Sequence, residues 1–314
     1  MKLALKIDVD TFRGTRMGVP RLVELLKRYE ANATFLFSLG PDHTGRAIKR
    51  VFRPGFMQKV SRTSVLEHYG IMTLLYGTAL PGPDIGRRCA DIMRNVRDAG
   101  FEVGIHTWDH IKWQDYVAGE NARWTEREML LACARFEEIF GARARVHGAA
   151  GWQMNRHAYR LTQQLGFDYC SDTRGKHPYI PVQNAEIIAC PQLPTTLPTL
   201  DELIGVDGLT ADSVADHVLH LSRDPPLTGH VYTLHAELEG MKLAPVFERL
   251  LAGWRAAGYA LVSLREYFES LEPKFLPRHV VTAAGIPGRS GTLALQDKEF
   301  LMDERGGSPA CTLA

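Results

Sequence analysis

No Cys-x-x-Cys pair occurs in the 314 residues. The five cysteines, Cys89, Cys133, Cys170, Cys190 and Cys311, are odd in number and widely scattered. That excludes a zinc knuckle and a disulfide framework and leaves reduced, mostly buried thiols as the expectation. Long apolar runs are missing as well: none approaches the ~20 residues that cross a bilayer. Met1-Lys2-Leu3-Ala4-Leu5-Lys6-Ile7-Asp8 reaches an acidic residue before a signal-peptide core can form, so neither a leader nor a transmembrane helix is expected. Excess charge of either sign is absent, with 37 Lys+Arg against 36 Asp+Glu and a net +1, so the molecule as a whole does not attract nucleic acid, and none is expected as a partner. There is no Gly-x-Gly-x-x-Gly turn, which argues against a dinucleotide-binding sheet. What remains, 45% hydrophobic and 23% charged residues, is the composition of an ordinary globular chain.

Apolar runs and turn residues alternate regularly. Strands are expected at 3–9, 33–37, 101–105, 143–147, 167–170, 230–234 and 259–262, with helices between them. Gly18-Val19-Pro20 opens the first helix, Thr125-Glu126-Arg127-Glu128 has the form of a capping box, and Asn155 caps a helix to Leu165. Repeated βα units predict an α/β fold, specifically a distorted parallel (β/α) barrel formed by one domain over 1–272. An insertion at 41–85 follows strand two. From 273 to 314 the glycines Gly285, Gly288, Gly291, Gly306 and Gly307 predict a loose tail.

Three short segments place chemistry at strand ends, which in a barrel face one mouth. Asp8-Val9-Asp10 has two carboxylates at strand spacing, although such a pair also serves as a cap or loop hydrogen-bonder. His106 and His110 stand four residues apart, as one divalent ion would need, with Asp109 able to orient an imidazole. His235, with Glu237 two residues on to raise its pKa, is a candidate general acid or else a surface histidine at a strand exit. Together they supply two histidines and a carboxylate for one metal ion, a second carboxylate to take a proton from water, and a histidine to protonate a leaving amine. The Gly148-Ala149-Ala150-Gly151-Trp152 loop is the candidate oxyanion or substrate site, through Ala150, Gly151 and Trp152.

These motifs resemble those of the polysaccharide deacetylases with a NodB-type domain. The resemblance rests on Asp8-Val9-Asp10, His106-Thr107-Trp108-Asp109-His110 and Leu234-His235, and covers residues 3 to 270. It implies a distorted barrel of about seven strands, Asp8 as general base, Asp10, His106 and His110 as ligands of one divalent metal ion (Zn, Mn, Co or Fe), and His235 as general acid. One departure concerns the base: where many members carry an arginine that orients it, this chain has Gly148, and Arg174, beside Asp172, is expected to take over. Further strings, 7–16, 148–153, 171–175 and 233–237, resemble the branch of the family that removes formate from 4-deoxy-4-formamido-L-arabinose on undecaprenyl phosphate. That branch serves lipid A modification and polymyxin resistance. A deacetylase or cyclic-amide hydrolase of the same fold, or a membrane-bound sugar-binding protein without catalysis, are the alternatives.

A lipid-linked substrate requires contact with the bilayer surface. Residues 46–62 carry Arg46, Lys49, Arg50, Arg53, Lys59 and Arg62 with no acidic residue, interleaved with Ile48, Val51, Phe52, Phe56, Met57 and Val60. Each basic side chain near an anionic surface contributes about 1 kcal/mol. The insertion is therefore expected to dock peripherally on the cytoplasmic face of the bacterial inner membrane and to attract the substrate's phosphate, unless it is a core-packed excursion with a solvated basic face.

Overall fold

The computed structural model describes residues 1–47 and 71–301. β1 (Lys2–Val9) is buried almost throughout, as a central parallel strand must be. From it the chain runs through α1 (Val19–Arg28) to β2 (Thr34–Ser38), and α2 (Ala90–Asp98) precedes β3 (Glu102–Thr107). Next come α3 (His110–Tyr116), α4 (Ala122–Phe140), β4 (Val146–His147), α5 (Arg156–Gln164) and β5 (Tyr169–Cys170). β6 (Ile180–Gln183) and β7 (Glu186–Ile187) leave the main sheet. α6 (Val214–Leu221), β8 (His230–His235), α7 (Ala244–Ala256) and β9 (Ala260–Val262) complete the alternation. The Asn155 side chain caps α5 as expected, accepting from the amides of His157 and Ala158. α4, however, begins one turn before Thr125. Asn121 caps it by accepting from Trp124 N, and Thr125 turns its hydroxyl back to Asn121 O.

The strands are parallel in the order β5-β4-β3-β2-β1-β8, with β9 also on β1. β5 and β8 are joined by an irregular segment. Cys170 N donates to Pro191 O, Leu193 N to Cys170 O and Thr196 N to Val231 O, so 191–196 bridges the two edges. Pro191 and Pro194 each lack an amide donor, which is why this stretch forms isolated bridges instead of a strand. The result is a distorted half-barrel. Leu3, Leu5, Ile7 and Val9 pack outward with the helices, whereas Ala4, Leu36, Val146, Tyr169, Leu193 and Val231 fill the interior above Leu264 and Tyr267. The two-residue period of β1 thus puts Lys6, Asp8 and Asp10 on the inner side, above that apolar layer.

The stretch beyond 273 is not a loose tail over its described part. β10 (Arg278–Ala284) and β11 (Leu293–Glu299) form an antiparallel hairpin, and β10 pairs in parallel with β6, giving a second sheet ordered β11-β10-β6-β7. Composition misleads here because Gly285, Gly288 and Gly291 sit in the turn of the hairpin, while Val281, Leu293 and Ala294 are buried. Arg174 N donates to Ala294 O, and Gln296 N to Arg174 O, so the hairpin is fastened to the barrel.

Candidate metal and catalytic centre

β1, β3 and β8 end at one mouth, and their register decides which side chains meet there. Asp8 pairs with His235 across β1 and β8, and Lys6 with Thr233. His106 lies near the end of β3, while His110 opens α3 and is held in place by Asp109, which caps that helix through Lys112 N at 3.1 Å and contacts His43 Nδ1 at 2.6 Å. His106 Nδ1 donates to Gly148 O at 2.6 Å, which leaves Nε2 directed to Asp10 Oδ1 at 3.2 Å. His110 Nε2 lies 3.4 Å from Asp10 Oδ2, and the two imidazole rings are 5.3 Å apart between centroids.

Asp10, His106 and His110 each offer a ligand atom, all within 4.8 Å of one another. Asp10 Oδ1, Asp8 Oδ1 and His235 Nδ1 are buried without a hydrogen-bond partner. Buried polar atoms are rarely left so, and a divalent cation facing Asp10 with reactants facing Asp8 and His235 accounts for all three. Two imidazoles and one carboxylate, with space left for water, fit a catalytic divalent ion. Burial alone would raise the pKa of Asp10, but His110 and His106 outweigh it and hold the carboxyl well below its usual range. A second cluster, His147, Cys170 and Asp172, is wholly buried. Its polar atoms are already used: Asp172 accepts from His147 Nδ1 at 2.7 Å, Ala149 N at 2.8 Å and Gln192 Nε2 at 2.9 Å.

Asp172 therefore shapes the 147–152 loop and not the base. That loop turns tightly at Gly151 and Trp152, both at positive φ, and Trp152 N donates to Ala149 O. Ala150, Gly151 and Trp152 are buried beside the mouth.

Two expected contacts are replaced by others. Arg174 does not orient Asp8; its Nη1 donates to both carboxylate oxygens of Glu202, at 2.7 and 2.9 Å. The partner of Asp8 is Lys6, whose Nζ lies 3.1 Å from Oδ2 with its side chain fully buried. The reason is steric. A Cβ on Gly148 would meet Leu36 Cδ1 at 2.3 Å and Lys6 Cε at 3.0 Å, so the lysine stem occupies space that a side chain from position 148 would need. Glu237 likewise turns away from His235. Its Oε1 accepts from Asp10 N, Thr11 N and Thr11 Oγ1 at 3.1, 2.8 and 2.8 Å, and burial, reinforced by Asp10, pushes its pKa up to about 8. Around His235, burial opposes the charge, but Asp201, Asp10, Glu239 and Asp8 outweigh it and raise the pKa. Glu239 also accepts from His235 N at 2.9 Å.

Lys6, Glu239 and Asp201 escape a motif reading. Only the alternation of Lys6 with Asp8 and Asp10 along one face of β1 signals the first of them. Replacing Lys6 by Met is expected to lower kcat about 10–100-fold, the usual effect of removing a group that orients a reactive side chain, with KM little changed in steady-state assays. A proportional rise in KM would contradict that role.

Comparison with known proteins places the chain in a family. Residues 8–170 match the polysaccharide deacetylase family. The chain is 36% identical over 295 residues, 94% of each chain, to a Shewanella sediminis protein named "Probable 4-deoxy-4-formamido-L-arabinose-phosphoundecaprenol deformylase ArnD". A protein of the same name from Wigglesworthia glossinidia brevipalpis is 32% identical, covering 91% of this chain and 99% of its own. Among solved structures, a polysaccharide-deacetylase-type protein from Mycobacterium smegmatis superposes with a TM-score of 0.61 at 16% identity, over 91% of this chain and 94% of the other. That likeness concerns the fold.

Proposed function

The chain belongs to the polysaccharide deacetylase family, and from that premise we propose that it hydrolyses the formamide of 4-deoxy-4-formamido-L-arabinose carried on undecaprenyl phosphate. Formate and the free amino sugar are the products, in the service of lipid A modification and polymyxin resistance. The observation that carries this reading is the convergence of Asp8, Asp10, His106, His110 and His235 at one mouth, three of them with buried unpartnered atoms, in a chain that matches named deformylases almost end to end.

Asp10, His106 and His110 would hold one divalent ion, whether Zn, Mn, Co or Fe. When bound, such an ion polarises the formyl carbonyl and lowers the pKa of water. Asp8 takes a proton on Oδ1 from the attacking water, held in place by Lys6 on Oδ2. The water oxygen bonds to the formyl carbon. As the C–N bond breaks, His235 gives its proton to the departing nitrogen, and the neighbouring carboxylates keep that imidazole protonated for the task. The Trp152 amide donates to Ala149 O, so in this reading the amides of Ala150 and Gly151 are the loop's candidates to stabilise the charge developing on the carbonyl oxygen. Mass spectrometry of the lipid-linked substrate is expected to show loss of the formyl group, dependent on a stoichiometric divalent ion found by metal analysis. An intact formamide in the presence of every such ion would reject the reading.

The protein works at the cytoplasmic face of the inner membrane as a peripheral enzyme. No helix among the described residues is long and apolar enough to cross a membrane. Arg46 is exposed, with Nε donating to Gly77 O at 3.0 Å, whereas Lys49, Arg50 and Arg53 lie outside the described residues. Neutralising Arg46, Lys49, Arg50 and Arg53 together is expected to abolish co-sedimentation with anionic liposomes; unchanged sedimentation would exclude this docking mode.

A further inference from the structure

The C-terminal hairpin delivers a cation to the mouth. Its turn between β10 and β11 rests on the backbone of Glu202: Gly288 has φ +76°, and a Cβ there would lie 2.1 Å from Glu202 O, so glycine alone permits the approach. Gln153 Nε2 donates to Thr292 O and ties the turn to the residue after Trp152. Arg289 is thereby placed with its guanidinium 4.6 Å from the centre of the Trp152 indole and Nη1 3.3 Å from Glu202 Oε1. The same indole lies 5.0 Å from the Arg174 guanidinium and 5.0 Å from Lys6 Nζ, the group that holds Asp8. Arg289 and the lysine that holds the general base thus contact the same ring.

Two guanidinium groups share one carboxylate here. Glu202 is 3% exposed, and both of its oxygens already accept from Arg174 Nη1. The second guanidinium on that carboxylate, Arg289 at 3.3 Å, stands beside Trp152, with its side chain 12% exposed. An arginine that shares its carboxylate with a second arginine retains donors for another oxyanion, and phosphate oxygens match its planar fork.

We propose that Arg289, seated on Trp152 and backed by Arg174, forms a subsite for the singly charged phosphodiester of the lipid-linked sugar. The proposal rests on the deformylase reading for the identity of the sugar. In that substrate the formamide and the phosphodiester occupy opposite ends of one pyranose ring, and in the protein Arg289 and the lysine that holds the base both lie against one indole. The hairpin thereby becomes part of the site and selects a phosphate-linked sugar over a free one.

The test compares wild type, Arg289→Ala and Arg289→Lys on the lipid-linked substrate and on methyl 4-deoxy-4-formamido-arabinoside, which has no phosphate. Arg289→Ala is expected to raise KM for the lipid-linked substrate about tenfold or more, as loss of a charge-assisted contact does, and at least fivefold more than for the methyl glycoside. Arg289→Lys recovers part of the loss. A second arm needs no turnover: quenching of tryptophan fluorescence by neryl methyl phosphate, a soluble prenyl phosphodiester, with nerol as the uncharged control. Saturable quenching by the phosphodiester that weakens about tenfold in Arg289→Ala supports the subsite. Equal KM changes on both substrates, or quenching unaffected by the substitution, would overturn it. Should wild type release no formate from either substrate, the deformylase reading falls, and the fluorescence arm still decides whether the phosphodiester binds at Arg289.

Discussion

Asp8→Asn is expected to reduce kcat by about a thousandfold, within the range of general acid–base contributions, while the purified protein keeps its divalent ion. Asparagine matches aspartate in shape, and its amide oxygen can still accept from Lys6 Nζ, which approaches the carboxylate at 3.1 Å. The amide cannot take a proton from water, so chemistry is lost and architecture kept. Metal analysis beside single-turnover formate release checks this. If the ion disappears together with the activity, Asp8 is a ligand and the base lies elsewhere.

His106→Ala gives the complementary result. The imidazole that donates to Gly148 O and faces Asp10 is removed, and the remaining pair, Asp10 and His110, retains the ion poorly. Activity is expected to fall on the order of a thousandfold or more, since the ion contributes several kcal/mol of charge stabilisation, and metal content after dialysis is expected to drop well below that of wild type. Full metal occupancy in His106→Ala would show that the ion sits elsewhere. Taken together, the two variants separate the ligand set from the base, because each predicts the opposite outcome in the metal measurement.

The site was legible in the sequence where local spacing alone decides geometry. Asp8 and Asp10 share a face because a strand repeats every two residues. The four-residue step from His106 to His110 survives although only His110 is helical, since a strand end and a capped helix start still bring both rings within reach. All seven strands of the barrel sheet fall where alternation and turn residues place them, some with shifted ends. The register that sets His235 opposite Asp8 is a pairing of residues 227 positions apart, and no local pattern specifies it.

The misreadings have one source, partners that are distant in sequence. Arg174 sits in a motif-like string beside Asp172, yet its charge is taken by Glu202, and Lys6 reaches Asp8 only because position 148 carries no side chain. Proximity in sequence pairs Glu237 with His235, but the chain turns after β8, so that Glu239 and Asp201 act on the imidazole and Glu237 holds the Asp10–Thr11 backbone. Glycine-rich composition suggests a loose tail, although β6 offers an edge that β10 completes.

By itself, the sequence determined the βα alternation, the three motifs and hence the family with its hydrolytic chemistry, because backbone periodicity and motif spacing are local properties. Tertiary structure alone decided which charges neutralise which, how the barrel is bridged by 191–196, and that Arg289 stands over Trp152. Electrostatic partnership depends on distance in space and on burial, and both come into existence only when the chain closes on itself.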